Sequence, residues 1–267
     1  MTNKTKKILV TNDDGVYATG IKAAYLSVQD LGKVTIVAPS MQKSGVGRSI
    51  SIFEPLRVSK TKANGLDAYS VGGTPTDAVI IGIFSILKQY PDLCVSGFNV
   101  GENISTDSVT TSGTIGAALE AASYGIPTIA VSIQVLDEGD KFDDVREYEY
   151  DFGIVIKFIN KIANNILKNG LPTGVDILNI NFPRYATEDT EVEITRLARK
   201  VFSTAVQERY DPRGRPYYWI DGGLLPDAEE GTDVHAILKK GTISITPITL
   251  DLTANLDFKA IKELVLV

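Results

Sequence analysis

The sequence predicts an α/β fold: a Rossmann-like, mostly parallel sheet with helices on both faces, plus a protruding C-terminal β-hairpin region. Three observations predict it. Up to about residue 183, short apolar runs alternate with segments of helical period, the pattern of βαβ units. The chain is 43% apolar and 22% charged, an ordinary globular balance that excludes disordered and fibrous classes. After Pro183 the character changes to alternating strands and turn-rich stretches. The 267 residues suffice for one large α/β domain with an appendage.

Six short apolar runs read as strands, at residues 8–12, 34–38, 68–71, 93–96, 128–133 and 177–181. Helical spacing predicts helices at 21–31, 75–88, 114–124 and 148–167. The second helix opens Gly73-Thr74-Pro75, with Thr74 placed to cap it and Pro75 at the first helical position. Residues 49–52 and 56–59 are short and alternating, and are expected to form a side hairpin. Beyond Pro183, residues 191–197 alternate like a strand, and the segment from Asp211 to Pro216 is a turn-rich tip. Tyr217-Tyr218-Trp219-Ile220 is an aromatic strand. A long hairpin carrying Trp219 cannot easily bury both faces on its own chain, and such ribbons commonly pair with another subunit. A hairpin folded back on its own domain fits the pattern equally well. Residues 240–248 predict one more strand and 257–264 a last helix. The expected division is a Rossmann-like core over 1–183 carrying the site, and a hairpin and oligomerisation region over 184–267.

The net charge of −6 argues against nucleic-acid duplex binding, which depends on clustered Lys and Arg. The lone Cys94 excludes an internal disulfide and fits a reducing compartment. The basic start is followed by only three apolar residues before Thr11, too few for a signal-peptide core, and no run of about 18 apolar residues occurs. A cytoplasmic protein without membrane attachment is expected. His235 is the single histidine, so a multi-histidine zinc site is excluded and Ser-His-Asp chemistry would have to run through it. It is expected to be an exposed surface residue.

The chemistry concentrates where the first strand ends, at Thr11-Asn12-Asp13-Asp14-Gly15. Ligands of open α/β sheets bind at the carboxyl ends of the strands. Two ionised side chains there are costly unless something positive joins them. Carboxylate oxygens suit a hard cation such as magnesium, calcium or manganese. Three further polar loops, 38–47, 96–103 and 110–114, fall on the same sheet edge. Asp13 and Asp14 supply charge, and Ser44 and Asn99 can supply neutral oxygens. A phosphate bridging to the metal would rest among Gly45, Asn103, Ser112, Gly113 and Thr114, with the last three opening a helix whose first N–H groups lack partners. Glycine at 113 would let the backbone approach a phosphate closely. Taken singly, each piece has an ordinary reading: a capped turn at Asp13-Asp14-Gly15, a helix cap at Ser112, turn residues at Asn99 and Asn103. Their convergence on one edge points to a one-metal phosphate site.

The same motifs resemble the SurE (stationary-phase survival protein E) family, metal-dependent nucleotidases acting on nucleoside monophosphates. The carriers are Thr11-Asn12-Asp13-Asp14-Gly15, Val37-Ala38-Pro39 with Ser44-Gly45, Gly73-Thr74-Pro75-Thr76-Asp77, Ser96-Gly97-Phe98-Asn99-Val100-Gly101-Glu102-Asn103, Ser112-Gly113-Thr114 and Ser244-Ile245-Thr246-Pro247. The resemblance implies that Asp13, Asp14, Ser44 and Asn99 hold one divalent cation per subunit, magnesium or manganese. It also implies a C-terminal hairpin exchanged between subunits of a homodimer or homotetramer. The chain departs from the commonest family pattern at Ala18-Thr19-Gly20, at Phe98 and at Glu102. None of these removes a proposed ligand, although Glu102 adds negative charge beside the site.

The expected reaction is hydrolysis of a phosphomonoester by in-line attack of a metal-associated water, with Asp13 and Asp14 as the catalytic residues. 5′-Nucleotidase activity is expected, with 3′-nucleotidase and exopolyphosphatase activities left open. An aspartyl-phosphate intermediate through Asp13 ranks lower, because an Asp holding the metal is poorly placed to attack the same phosphate. A nicotinamide-dependent oxidoreductase is disfavoured by the missing G-x-G-x-x-G after the first strand. The alternative from another class is a non-catalytic metal-dependent nucleotide sensor. Tyr217, Tyr218 and Trp219 of a neighbouring subunit are candidates for stacking a base, with interface core as the competing role.

Overall fold

The computed structural model describes residues 5–135, 150–225, 227–254 and 257–265. In chain order the elements are β1 (Lys7–Thr11), α1 (Thr19–Leu26), β2 (Lys33–Pro39), β3 (Val58–Ala63), β4 (Leu66–Val71), α2 (Pro75–Ile81), β5 (Leu93–Val100), α3 (Ser105–Thr111), α4 (Gly113–Ser123), β6 (Thr128–Ile133), α5 (Gly153–Asn169) and β7 (Ile177–Phe182). There follow β8 (Val192–Ile194), β9 (Ala205–Tyr210), β10 (Pro216–Asp221), α6 (Asp233–His235), β11 (Ile243–Ile248) and α7 (Phe258–Val265). A widened helical turn extends α2 over Gly82–Leu87, and another extends α6 over Ala236–Lys240.

Nine strands form one sheet in the order β3-β4-β2-β1-β5-β6-β7-β11-β8. The central six run parallel, while β3 and β11 pair antiparallel with β4 and β7. The parallel sheet with helices on both faces is therefore as expected. Strands buried on both faces read as continuous apolar runs, and the face of each residue follows the pleat. Along β1, Ile8 and Val10 join the layer beneath α1 and α5, whereas Leu9 joins the layer beneath α2 and α4. In α5, Val155, Ile159, Ala163 and Ile166 recur at helical spacing and are the side chains that face the sheet. The predicted start of that helix at residues 148–149 lies outside the described residues.

Thr74 caps α2 as expected. Its hydroxyl accepts from the Asp77 N–H at 3.1 Å, the Asp77 carboxylate accepts from the Thr74 N–H at 2.8 Å, and Pro75 takes the first helical position. The same cap overturns the expected side hairpin over 49–52 and 56–59. The Thr74 hydroxyl donates to the Ser49 carbonyl at 2.7 Å and the Asp77 carboxylate accepts from the Ser51 N–H at 3.0 Å, so the cap and first turn of α2 claim that backbone. The true hairpin lies one step on, where Asn64 and Gly65 both adopt positive φ, the signature of a tight two-residue turn joining β3 to β4. The first predicted helix also differs. It starts at Thr19 and ends at Leu26, and the tail continues as i to i+3 turns closed by Val28 N–H to the Tyr25 carbonyl and Leu31 N–H to the Val28 carbonyl.

Beyond Pro183, β8 and β11 complete the main sheet, while β9 and β10 form a separate antiparallel ribbon with Trp219 opposite Gln207 and Ile220 opposite Val206. Every residue of both ribbon strands is exposed. Asp211 organises the tip, accepting from the N–H groups of Arg213 and Arg215 and from the Arg215 guanidinium. His235 is not on the open surface as expected. It is half-buried in α6 between the buried Val234 and Ala236, and its Nδ1 is buried without a hydrogen-bond partner. No described helix is long and apolar enough to cross a membrane.

Candidate active site

The strand order reverses between β1 and β5, because the chain winds outward from β1 through β2 and β4, then returns to lay β5 beside β1. Such a switch point leaves a crevice at the carboxyl ends of the strands. A cavity of about 540 Å³ lies here, lined by Asp13 and Asp14 after β1, Ser44 and Gly45 after β2, Asn99 to Asn103 at the end of β5, and Ser112 before α4. Gln42, Ser108, Thr111 and Phe202 complete its wall. Of the sequence-predicted residues, Asp13, Asp14, Ser44, Gly45, Asn99, Asn103 and Ser112 share this one cavity. Gly113 and Thr114 do not line it; they stand behind Asp13.

Asp13 is held from several sides. The Thr114 hydroxyl donates to its Oδ1, and the Thr114 backbone N–H also favours its charge. Its carbonyl accepts from Lys43 N–H at 2.7 Å, which draws the loop after β2 to the acids. A side chain at position 113 would meet Asp13 Cβ at 2.8 Å and the Lys43 carbonyl at 2.9 Å, so glycine is required by close approach. The start of α4 therefore cradles a carboxylate of the protein itself. Gly113 and Thr114, expected from the sequence to receive a phosphate, are here in contact with Asp13. Ser112 caps the same helix through its hydroxyl, which accepts from the Ile115 N–H at 3.2 Å.

Asp14 is less constrained: its Oδ2 accepts one long bond, 3.3 Å, from the Val100 N–H. Burial raises both carboxyls above the ordinary carboxylate range. For Asp13 the Thr114 hydroxyl opposes the rise, whereas for Asp14 the charge of Asp13 adds to it, so Asp14 lies well above that range. Asn99 donates its amide Nδ2 to the Gly101 carbonyl at 2.5 Å, which leaves its amide oxygen as the end able to coordinate. Asn103 is pinned by β7: its N–H donates to Asn181 Oδ1 at 2.8 Å, and its carbonyl accepts from Asn179 and Asn181.

The loop bearing Ser44 and Gly45 is fastened to the end of α3 and to α4. Gly47 N–H donates to the Thr111 carbonyl at 2.7 Å, and Arg48 pairs with the buried Glu120 at 2.8 Å, whose other oxygen accepts from the Tyr124 hydroxyl. A Cβ at Gly116 would stand 2.2 Å from the Gly47 carbonyl oxygen, so only glycine admits this contact.

Among the described residues no lysine or arginine lines the cavity. Two buried carboxylates raised by desolvation, with Glu102 and several hydroxyl and amide oxygens in the same cavity wall, fit a hard divalent cation. Among the described residues no group of three or more His, Cys, Asp or Glu is gathered to hold a metal, here or elsewhere, so neutral oxygens such as those of Ser44 and Asn99 would have to complete a shell around Asp13 and Asp14. Cys94 is buried and its thiol is pushed up to about 12, so it is inert. Gln42, Ser108, Thr111 and Phe202 are not among the ligands and phosphate contacts the sequence suggests, although Gln42 and Thr111 lie in loops that it places at the site. Ser108 and Thr111 belong to α3, whose Ser- and Thr-rich sequence has weak helical propensity. Phe202 comes from about a hundred residues away and left no local signal.

The fold and the crevice define a doubly wound α/β protein with an oxygen-rich, acidic site at the sheet's switch point. The family model described as "Survival protein SurE" matches residues 8–204, and the chain belongs to the SurE family. It is 68% identical over 258 residues to a protein of Methanosarcina barkeri named 5′-nucleotidase SurE, covering 96% of this chain and 97% of that one. A protein of Methanococcoides burtonii with the same name is 64% identical, covering 97% and 99%. The crystal structure of the SurE protein from Aquifex aeolicus superposes with a TM-score of 0.77 at 35% identity, covering 97% of this chain and 99% of that chain.

Proposed function

We propose that this chain is a metal-dependent phosphomonoesterase that hydrolyses nucleoside monophosphates to nucleoside and inorganic phosphate, a 5′-nucleotidase. The observation that carries the reading is the buried pair Asp13 and Asp14 in a cavity that also gathers Glu102 and the neutral oxygens of Ser44, Asn99, Asn103 and Ser112. Full-length similarity to proteins named 5′-nucleotidase supports it. In this reading Asp13, Asp14, Ser44 and Asn99 hold one magnesium or manganese ion per subunit. When bound, such an ion supplies charge neutralisation for a phosphoryl group and lowers the pKa of water.

The chain's own residues divide the remaining work. Asp13, locked by Thr114 and Lys43, is the fixed anchor. Asp14, with one weak bond to the backbone, keeps acceptor capacity for orienting the attacking water and taking its proton. The water oxygen forms the new P–O bond as the ester P–O bond breaks, and the departing nucleoside oxygen gains a proton. Gly45, Asn103 and Ser112 stand around the phosphate. Gly113 and Thr114 act through Asp13.

Phosphate release from a panel of 5′- and 3′-mononucleotides, assayed with magnesium, manganese and EDTA, tests the reading. Turnover with a divalent ion and none in EDTA is expected. Tight nucleotide binding with no turnover under any metal would leave a nucleotide sensor instead.

The proposal extends to a cytoplasmic homodimer or homotetramer built through residues 184–267. The fully exposed β9–β10 ribbon supports this, with Trp219 59% and Ile220 83% exposed, as do the exposed Phe258, Ile261 and Leu264 on one face of α7. Sedimentation is expected to give a dimer or tetramer, and cutting back the ribbon to give monomers. A monomeric intact chain at micromolar concentration would sink this part of the proposal.

A further inference from the structure

We propose that Phe202 is the platform on which the substrate's base stacks, so that the C-terminal region chooses nucleotides over base-free phosphate esters. The inference rests on the nucleotidase reading and deepens it. Phe202 is the one aromatic side chain among the described residues that line the cavity. Tyr217, Tyr218 and Trp219, which the sequence suggests as stacking residues from a neighbouring subunit, belong to the exposed ribbon of this chain.

The geometry suits a platform. Phe202 is half-buried and packs against the buried cluster of Ile104, Ala198, Val201, Val234 and Ile237 while contributing to the cavity wall. Its backbone is fixed by a bridge to Leu224, and the neighbouring Val201 carbonyl accepts from the Leu225 N–H at 2.9 Å. A ring backed by a packed cluster loses little freedom when a second ring lies on it. The cavity, at about 540 Å³, is far larger than a phosphate needs and within the roughly 300–1,000 Å³ range of small-molecule clefts. Its polar end holds the acids. Gln42, Ser108 and Thr111 line the same cavity as Phe202 and carry groups able to hydrogen-bond sugar hydroxyls or base edges. Stacking reads the π-face that every base shares, so this platform favours nucleotides while tolerating the identity of the base.

The test compares kcat/KM for AMP and for ribose 5-phosphate, which keeps the phosphoester but lacks the base, in wild type, Phe202→Ala and Phe202→Tyr with manganese. The alanine variant is expected to lose about 10- to 100-fold on AMP, mainly through KM, and to leave ribose 5-phosphate within about twofold. The tyrosine variant is expected to restore the preference. An equal loss on both substrates assigns Phe202 a purely structural role and overturns the proposal. Wild-type turnover of both esters at equal efficiency overturns it too, while leaving the nucleotidase reading intact. Hydrolysis of neither ester overturns both.

Discussion

Asp14→Asn is expected to abolish nucleotide hydrolysis while making the metal-free protein harder to unfold. The two effects have one origin. Asp14 is buried beside Asp13, and desolvation together with that neighbouring charge holds its carboxyl well above the ordinary range. In the native protein without metal, the ionised pair is a liability. Asparagine keeps the shape and can still accept the Val100 N–H, but it carries no charge for a cation to meet and no basicity for a water's proton. Loss of a preorganised electrostatic contact of this kind costs about 10²–10³ in kcat, and a metal ligand with a second role is expected to cost at least that. Removing the repulsion should stabilise the metal-free chain by about 1–2 kcal/mol, and each kcal/mol moves the midpoint by about 2–4 °C at this size.

The pH dependence follows with a definite sign. A carboxyl raised in the folded state contributes stability below its unfolded value of about 3.8, and that contribution is lost as pH rises through the higher native value. Metal-free wild type should therefore lose stability from acidic to neutral pH, and Asp14→Asn should flatten that slope. Manganese, which requires the ionised carboxylates, should reverse the loss and bind more weakly as pH falls. Thermal melts in EDTA and in manganese across pH 4 to 8, with AMP turnover alongside, measure all of this. A variant that turns over at the wild-type rate, or melts lower in EDTA, would contradict the argument.

Asp233→Ala is expected to be the most damaging single change outside the acids. Asp233 is fully buried and accepts three backbone N–H groups: Ser105 at 2.7 Å, Ala198 at 2.8 Å and Val234 at 2.8 Å. It thereby ties α6, from the C-terminal region, to the start of α3 and to the segment that leads to Phe202. Ser105 itself holds a positive φ of 68°, a strained backbone for a non-glycine residue that needs outside support. Truncation leaves three buried donors without a partner, each costing about 1–3 kcal/mol. A total loss of about 3–5 kcal/mol is expected, or a fall of roughly 10 °C in the midpoint. Because α3 carries Ser108 and Thr111 of the cavity wall, KM for AMP should rise well below the melting transition. Asp233→Asn, which preserves volume and one acceptor, should recover part of both. A melting temperature within a degree or two of wild type would show that this buried clamp does not hold the two regions together.

Much of the molecule is legible along the chain because its physics is local. Strands buried on both faces must be apolar runs, so β1, β2, β5, β6 and β7 are visible as short blocks of Ile, Val, Leu and Ala. The cap of α2 is written in three consecutive residues. Two adjacent carboxylates at the end of an apolar strand demand a counter-charge whatever the rest of the chain does, and that demand already points to a cation. Asn64-Gly65 is the residue pair that a tight two-residue turn favours, and the structure places the hairpin there and not in the alternating runs before it.

What the chain alone could not decide is who satisfies whom across the fold. The sequence expects a helix start at Gly113 and Thr114 to receive phosphate; in the fold Asp13 packs against that start and Thr114 bonds to it. Backbone at 49–52 had the alternation of a strand, yet the cap and first turn of α2 bind it first. Phe202 reaches the cavity only because Asp233 and the bridge to Leu224 bring a distant segment there. A sequence shows which groups need partners, since burial and charge belong to the residue and its near neighbours. Which of several eligible partners wins depends on distances that exist only once the chain has folded.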